Sequence, residues 1–196
     1  FKVTIDDEKV LEAETLIIAT GATARYLGLP SESKFRGMGV SACATCDGFF
    51  YRGKTVAVVG GGDTACEEAL YLASLCKKVY MVVRRDVFRA SKAMQERIAA
   101  TDNIEVLWNS NTQEVLGDDM GVTGMRLFRK DGVVYEKAID GFFLAIGHHP
   151  NSDLFKEWIT TDENGYIVTD GRSSKTNVSG VFAAGDVQDP NYRQAI

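Results

Sequence analysis

Cysteine, histidine and proline are scarce in this chain of 196 residues, which has four, two and three of them respectively. Four unevenly spaced cysteines are too few for the disulfide framework of a small secreted domain, which favours a reducing compartment. No run of lysine or arginine is present to neutralise nucleic-acid phosphates, and the formal net charge is -5. The longest apolar runs, at residues 15–20 and 141–147, have the length of strands and are too short to span a bilayer. We therefore expect a cytoplasmic protein that binds neither nucleic acid nor membranes.

The remaining composition is that of a globular protein, with 45% hydrophobic and 25% charged residues. A chain of this length can form one sizeable core or two small ones. The first residue is Phe1 rather than methionine, and no signal segment precedes the first patterned strand. We expect the sequence to be a piece of a longer protein.

Strand patterns open the chain, and a loop pattern then interrupts them. Residues 1–5 alternate apolar and polar side chains, and residues 10–20 return to an extended pattern after a turn. Residues 28–39 contain a proline, two serines and three glycines, which is typical of a loop between domains. The sequence therefore predicts a domain boundary in this loop, at residue 35.

A strand, a glycine turn, a helix and a second strand follow one another in the middle of the chain. Residues 55–59 are apolar, residues 64–76 place apolar side chains at helical spacing, and residues 79–83 are again apolar. This order predicts a βαβ unit with parallel strands. Further predictions are a helix at 91–100, strands at 104–108, 141–147 and 180–184, and a hairpin at 124–139 that turns at 130–132.

Small residues in the glycine turn have the spacing of a dinucleotide-binding turn. Gly60, Gly62 and Ala65 give the pattern G-x-G-x-x-A. Small side chains there allow a tight turn, close approach of the backbone to a pyrophosphate, and close packing of the helix on the strand. The pyrophosphate would lie at the positive end of the helix. The alternative is a glycine-rich turn with a purely structural role.

Arginines follow the second strand of this unit, where an NAD site usually carries a carboxylate. Arg84 and Arg85 are adjacent, and Arg89 is close to them in the sequence. A 2′-phosphate needs cations at this position, so the sequence favours NADPH over NADH. The alternative is that these arginines are solvated surface charges.

Cys43 and Cys46 form a C-x-x-C pair, whose spacing brings two sulfurs within disulfide reach. One thiolate could attack an external disulfide and the other could resolve the mixed intermediate, with Asp47 as a candidate proton donor to the leaving thiolate. The alternative is half of a zinc site, but zinc needs about four ligands and no second pair has suitable spacing. We predict no metal, and we interpret Cys66 and Cys76 as small core residues.

Eight segments along the chain form one set of motifs. They are LIIATGA from residue 16, SACATCDG from 41, GGGDTA from 60, EEALYL from 67, RRDVFR from 84, AIGH from 145, GVFAAGD from 180 and YRQAI from 192. Together they closely resemble low-molecular-weight bacterial thioredoxin reductase. The match covers nearly the whole chain, and its motifs are jointly specific.

The resemblance implies an α/β fold of two doubly wound, Rossmann-like domains, assembled as a homodimer. An FAD domain would be split between residues 1–35 and 150–196, and an NADPH domain, residues 36–149, would be inserted in it. The implied NADPH contacts are Gly60, Gly62, Asp63, Thr64, Ala65, Arg84, Arg85 and Arg89. The implied FAD contacts are Gly21, Gly185, Asp186, Arg193, Gln194 and Ala195.

The implied activity is thioredoxin-disulfide reduction. Electrons would pass from NADPH through FAD to the Cys43–Cys46 disulfide, with Asp47 as the acid, and on to thioredoxin as the partner. In this family the inserted domain rotates, so residues 34–39 and 148–152 become predicted hinges. Glycine at positions 37 and 39 suits that role.

The chain departs from the family's pattern in two places. Val83 stands where many relatives carry a histidine before the paired arginines. The N-terminal glycine fingerprint that would bind the ADP half of FAD is absent from the sequence. We therefore expect this chain to bind NADPH but to hold FAD poorly.

Three related functions remain open. The flavoprotein component of alkyl hydroperoxide reductase has a similar dithiol, but it generally lacks the paired arginines and prefers NADH. A ferredoxin-NADP reductase of the same architecture would not need Cys43 and Cys46. A non-catalytic NADPH-binding redox sensor would use the dithiol to report oxidation without turnover.

Overall fold

The computed structural model describes residues 1–191, so the predicted FAD contacts Arg193, Gln194 and Ala195 lie outside the described residues. The chain divides into two compact units. Phe1–Ala24 and the described residues from His148 onward form the first, here called the split unit. Arg25–Gly147 form the second, here called the continuous unit.

Strands and short helices alternate along the described residues. The strands are β1 Lys2–Ile5, β2 Lys9–Glu12, β3 Leu16–Ile18, β4 Ala22–Ala24, β5 Val40–Ser41, β6 Thr55–Val59, β7 Lys78–Val82, β8 Ile104–Leu107, β9 Ser110–Asp118, β10 Gly121–Arg129, β11 Val134–Ala138, β12 Gly141–Leu144, β13 His148–Pro150 and β14 Val181–Ala183. The helices are α1 Pro30–Phe35, α2 Ala44–Asp47, α3 Asp63–Leu75 and α4 Lys92–Ala99, with 3-10 turns at Gly48–Tyr51 and Gly185–Val187. None of these helices, within residues 1–191, is long and apolar enough to cross a membrane.

A five-stranded parallel sheet forms the centre of the continuous unit, in the order β5, β12, β6, β7, β8. The central strand β6 is buried along Val56, Ala57, Val58 and Val59, as expected for a parallel strand covered on both faces. α3 joins β6 to β7 and packs its apolar face on the sheet. The predicted α/β class with a Rossmann-like parallel sheet is confirmed, and so is the βαβ unit.

An antiparallel sheet of β9, β10 and β11 packs with the second face of the parallel sheet, where Met125 and Leu127 share a core with Phe142. The hairpin between β10 and β11 turns at Gly132, which has a φ of +88°, as predicted. β9 is a strand that the sequence pattern did not predict. That strand carries many polar residues, and its pairing with β10 is interrupted by register shifts, so its pattern is weak.

Residues 28–39 were predicted as an interdomain loop, but α1 lies inside this stretch and belongs to the continuous unit. The helix forms because the buried Glu32 carboxylate accepts the N–H groups of Leu27 and Leu29, at 3.1 and 2.9 Å. It contacts β9, where the Val115 N–H donates to the Ser31 hydroxyl at 3.0 Å. The boundary therefore lies at residue 24 rather than 35.

The second predicted boundary, at residue 149, lies two residues too late, since the continuous unit ends at Gly147. The predicted hinge at residues 34–39 lies within the continuous unit rather than at its edge, and it stays a prediction. A Cβ added at Gly39 would lie 2.6 Å from the Val122 Cβ, so this glycine is required for packing.

The split unit is built from shorter ladders. β1 and β2 form a hairpin, β3 pairs in parallel with β14, and β4 pairs in antiparallel fashion with β13. The last two ladders each join one strand from the start of the chain to one from its far end. A small core of Ile18, Ile167 and Val181 lies between these pieces.

Candidate functional site

The glycine turn connects β6 to α3 in the continuous unit. Gly60 has a φ of +147°, and a Cβ added there would lie 2.7 Å from the Cβ of Ala65. Ala65 is fully buried, so a larger side chain at either position would separate the helix from the strand. Gly60 and Ala65 thus have the packing role that the sequence pattern assigned to them.

The start of α3 is open on its outer side. Gly62 is the residue before the helix, and a Cβ added there would meet no atom within 4 Å. The unpaired N–H groups of the first turn carry the positive end of the helix dipole. The Asp63 carboxylate accepts the Ser91 N–H at 2.9 Å, which lowers the pKa of Asp63 and ties the start of α4 to this turn. Thr64 is exposed beside it.

The predicted arginines follow β7 and line the same cavity as Gly60 and Gly61. Backbone bonds hold this loop: the Arg89 N–H donates to the Gly61 carbonyl at 2.7 Å, and the Asn109 N–H donates to the Arg85 carbonyl at 3.1 Å. Arg84, Arg85 and Arg89 are exposed, and none has a carboxylate within ion-pair distance in the described part of the chain. Their charge is therefore available to an anion.

The cavity has a volume of about 550 Å³, within the usual range for small-molecule sites. Part of its wall was not predicted from the sequence. The additional lining residues include Arg25, Tyr26, Leu27, Ser110, Asn111 and Thr112. They were missed because residues 25–29 and the start of β9 carry no cofactor motif, and only the tertiary fold brings them to the glycine turn.

Cys43 and Cys46 are joined as a disulfide, with their Cα atoms 5.3 Å apart. Cys43 is the residue before α2, and its Sγ accepts the Cys46 N–H at 3.2 Å. The Thr45 hydroxyl lies 3.4 Å from the same sulfur, and the Ser41 hydroxyl accepts the Cys43 N–H at 3.0 Å. The Cys43 sulfur therefore accepts one backbone N–H and lies beside one hydroxyl, whereas Cys46 is exposed.

Polar and aromatic residues follow the disulfide directly. The Asp47 N–H donates to the Cys43 carbonyl at 3.1 Å, which fixes the half-buried Asp47 beside the pair. Phe49 and Phe50 are 64% and 71% exposed, so an apolar surface adjoins the sulfurs. Burial, then Asp47 and Asp140, raise the pKa of Tyr51.

Cys66 lies on α3 and Cys76 directly follows that helix. Both are buried free thiols in the core, as predicted. Burial, followed by nearby carboxylates, raises the pKa of each thiol to about 11. A thiol with such a pKa is a poor nucleophile near neutral pH. The chemistry of the cysteines therefore rests on the Cys43–Cys46 pair.

Three predicted FAD contacts lie in the split unit. Gly21 follows β3, and Gly185 and Asp186 follow β14. β3 and β14 are parallel neighbours, so their carboxyl ends meet at one edge, where α/β sheets bind ligands. Both glycines have positive φ, +72° and +75°, and open space where a Cβ would be.

A parallel sheet, a glycine turn at a helix start and an exposed disulfide define a dinucleotide-binding class of redox protein. The chain belongs to the pyridine nucleotide-disulphide oxidoreductase family, which matches residues 1–196. The family's name specifies a pyridine nucleotide and a disulphide. The structure has a cavity of the size of a small-molecule site and a disulfide between Cys43 and Cys46, which agree with that name.

Individual relatives extend this match. The chain is 55% identical to a glucosaminate ammonia-lyase from Pseudomonas fluorescens, over 97% of its own length and 61% of that protein. It is 52% identical to a thioredoxin reductase from Coxiella burnetii, over 97% of its length and 62% of that protein. The crystal structure of thioredoxin reductase from Streptococcus pyogenes superposes with a TM-score of 0.85 at 42% identity, covering 97% of this chain and 62% of that one. The chain thus spans about three fifths of the length of these relatives.

Proposed function

We propose that the protein is a thioredoxin-disulfide reductase, which moves electrons from NADPH through FAD to the Cys43–Cys46 disulfide and on to thioredoxin. The observation that carries this proposal is that the arginine-lined cavity and the disulfide lie in the same continuous unit. The relatives named thioredoxin reductase support it. We further propose that the full-length protein is a cytoplasmic homodimer.

The residues of the cavity fit NADPH. The turn at Gly60 leaves no room for a side chain, and Gly62 opens the start of α3 to a pyrophosphate. Arg84 and Arg85 would hold the 2′-phosphate, with Arg89 beside them, because their charges have no partner in residues 1–191.

The edge formed by Gly21, Gly185 and Asp186 fits part of a flavin nucleotide, since it combines open backbone with one carboxylate. A bound flavin would supply the two-electron transfer between the nucleotide and the disulfide. We assign these three residues, together with Arg193, Gln194 and Ala195, to FAD.

The disulfide and its neighbours would carry the final steps. Reduction of the Cys43–Cys46 bond takes two electrons and two protons and leaves two thiols. The Cys46 N–H, which the Cys43 sulfur accepts, would stabilise a thiolate there, so we propose that Cys43 attacks the thioredoxin disulfide and Cys46 resolves the mixed disulfide. Asp47 would then donate a proton to the thiolate that leaves thioredoxin.

The test is NADPH-dependent thioredoxin reduction by the full-length protein with FAD bound. We expect turnover with NADPH, and we expect Cys43→Ser and Cys46→Ser to lower it to background. Cys66→Ala is the matched control, because that thiol is buried away from the disulfide, and it should retain activity. Tight NADPH binding without thioredoxin reduction would instead support the redox sensor, and a preference for NADH would support the alkyl hydroperoxide reductase component.

The relative named glucosaminate ammonia-lyase raises a lyase activity as a rival. Ammonia elimination involves no net electron transfer, so it gives the exposed Cys43–Cys46 disulfide no role. For this reason we propose the redox function.

A further inference from the structure

One residue that lines the cavity, Thr112, carries a buried polar atom that has no partner in the described protein. Thr112 lies on β9 and is 9% exposed, and its Oγ1 has no hydrogen-bond partner among residues 1–191. The neighbouring Ser110 hydroxyl also lines the cavity, but it bonds to the Trp108 carbonyl and to the Tyr135 hydroxyl, both at 2.8 Å. Leaving a buried hydroxyl unpaired costs about 1–3 kcal/mol, so an atom in this position is suited to a ligand.

The lining of the cavity divides into charged and apolar side chains. The charged ones are Arg25, Arg84, Arg85 and Arg89, of which Arg89 is bonded through its backbone to the glycine turn. The apolar ones include Leu27, Leu29, Val87 and Ile146. Tyr26 also lines the cavity, and the Arg36 guanidinium, 4.0 Å from its ring centroid, holds the ring in place.

The adenosine end of a nicotinamide dinucleotide phosphate has the same division. Its 2′-phosphate is anionic, whereas its base is a flat, largely apolar ring with a polar edge. Arginines suit the phosphate, an apolar wall suits the ring, and a single buried hydroxyl suits the polar edge, since a hydroxyl both donates and accepts.

We propose that Thr112 is a specificity residue for the adenine base of the nicotinamide cofactor, with its Oγ1 hydrogen-bonded to the polar edge of the base. This inference rests on the proposed function, because it requires the cavity to bind NADPH. It extends the set of cofactor contacts to β9, a strand on which the sequence shows no cofactor motif.

Calorimetric titration of the 196-residue chain with NADP⁺ and NAD⁺ tests this role. We expect Thr112→Val, which keeps the shape and removes the hydroxyl, to raise both dissociation constants about five- to tenfold, the effect of one hydrogen bond. The factor should be equal for the two ligands, because the contact is to the base and not to the 2′-phosphate. Thr112→Ser should restore binding, and the exposed Thr123→Val is the matched control.

Two further measurements separate binding from structure. The ligand-free Thr112→Val protein should unfold at the same or a higher temperature, because an unpaired buried hydroxyl has been removed. The hypoxanthine analogue of NADP⁺ differs from NADP⁺ at the base alone, so the ratio of the two dissociation constants should change about threefold or more between Thr112 and Thr112→Val.

Unchanged affinity in Thr112→Val, equally weak binding by Thr112→Ser, or an unchanged ratio between the two bases would each overturn the inference. In all three cases the wild-type chain would still bind NADP⁺, and the proposed function would stand. Absence of NADP⁺ binding by the wild-type chain would overturn both.

Discussion

The continuous unit and the split unit differ in how extensively their strands pair and are covered. The continuous unit covers both faces of its parallel sheet, and Phe142 and Phe143 are fully buried there. The split unit consists of two-stranded ladders, and Ile17, Leu154 and Trp158 are 67%, 78% and 67% exposed. The cavity and the disulfide therefore lie on the well-packed unit, whereas the split unit depends on a few contacts between distant segments.

Each unit contains one of the two tryptophans, which allows the comparison to be measured. Trp108 belongs to the continuous unit, where it packs edge-on against Phe88 at 4.6 Å. Trp158 belongs to the split unit. Fluorescence of Trp158→Phe protein in urea thus reports unfolding of the continuous unit, and fluorescence of Trp108→Phe protein reports unfolding of the split unit.

The largest expected effect is loss of core packing in the continuous unit. Phe142→Ala should lower the free energy of unfolding reported by Trp108 by about 3–5 kcal/mol, because it leaves a cavity in the core that Phe142 shares with Met125 and Leu127. Ile17→Ala in the split unit should change the stability reported by Trp158 by less than about 0.5 kcal/mol. Similar losses in the two units would contradict the difference in packing.

The next effect concerns binding by the continuous unit. Removing Arg84 and Arg85 together should weaken NADP⁺ binding about 100- to 1000-fold, since each charge-assisted contact contributes about 1.5–2 kcal/mol, the lower part of the usual range for bonds to charged groups. NAD⁺ lacks the 2′-phosphate and should bind almost unchanged. Arg97→Ala, on α4 and outside the cavity lining, is the control. An equal loss of affinity for both nucleotides would mean that the arginines do not bind the 2′-phosphate.

Local patterns were sufficient to predict the βαβ unit and half of the cavity. Gly60, Ala65 and the helical spacing of α3 are encoded within one short stretch, and the structure has them as predicted. The arginines follow β7 directly, so the order of elements places them at the same sheet edge.

The remaining half of the cavity depends on tertiary structure. α1 is stabilised by bonds from the Glu32 carboxylate that require its burial, although Pro30 followed by Glu32 was a helix-start signal that could have been recognised. β9 is polar and is defined by pairing with β10. No sequence pattern marks Thr112, because its importance arises from the missing hydrogen bond in the folded chain.

A smaller effect concerns the pH dependence of stability, which should be found in the continuous unit because it contains Glu68. Burial and then Glu67 raise the pKa of Glu68 to about 7, from 4.5 in the unfolded chain. The folded state binds this proton more tightly, so the continuous unit should lose about 2 kcal/mol of stability as the pH rises from 5 to 8. Glu68→Gln should remove this loss and be more stable than wild type at pH 8, as measured with Trp108.

Two comparisons show whether Glu68 is the group that causes this pH dependence of stability. Glu67→Gln changes an exposed neighbour and should keep most of the pH dependence. The pKa values of Asp63, Glu105 and Asp131 are lowered, so these carboxyls change the stability only in acid, below the range from pH 5 to 8. A pH profile of Glu68→Gln that parallels wild type would show that another group carries the proton.

The smallest effect tests how the split unit is held together. Asn151 donates from its Nδ2 to the Thr20 carbonyl at 2.9 Å and accepts the Thr23 hydroxyl on its Oδ1 at 2.9 Å, which joins the two distant segments. Asn151→Ala should therefore lower the stability reported by Trp158 by about 1 kcal/mol, because it removes these two hydrogen bonds at a partly exposed site. The stability reported by Trp108 should not change, because both bonds lie within the split unit. Asn164→Ala, in a turn within one segment, is the control, and a matching loss in that variant would mean that the bonds between segments add nothing specific.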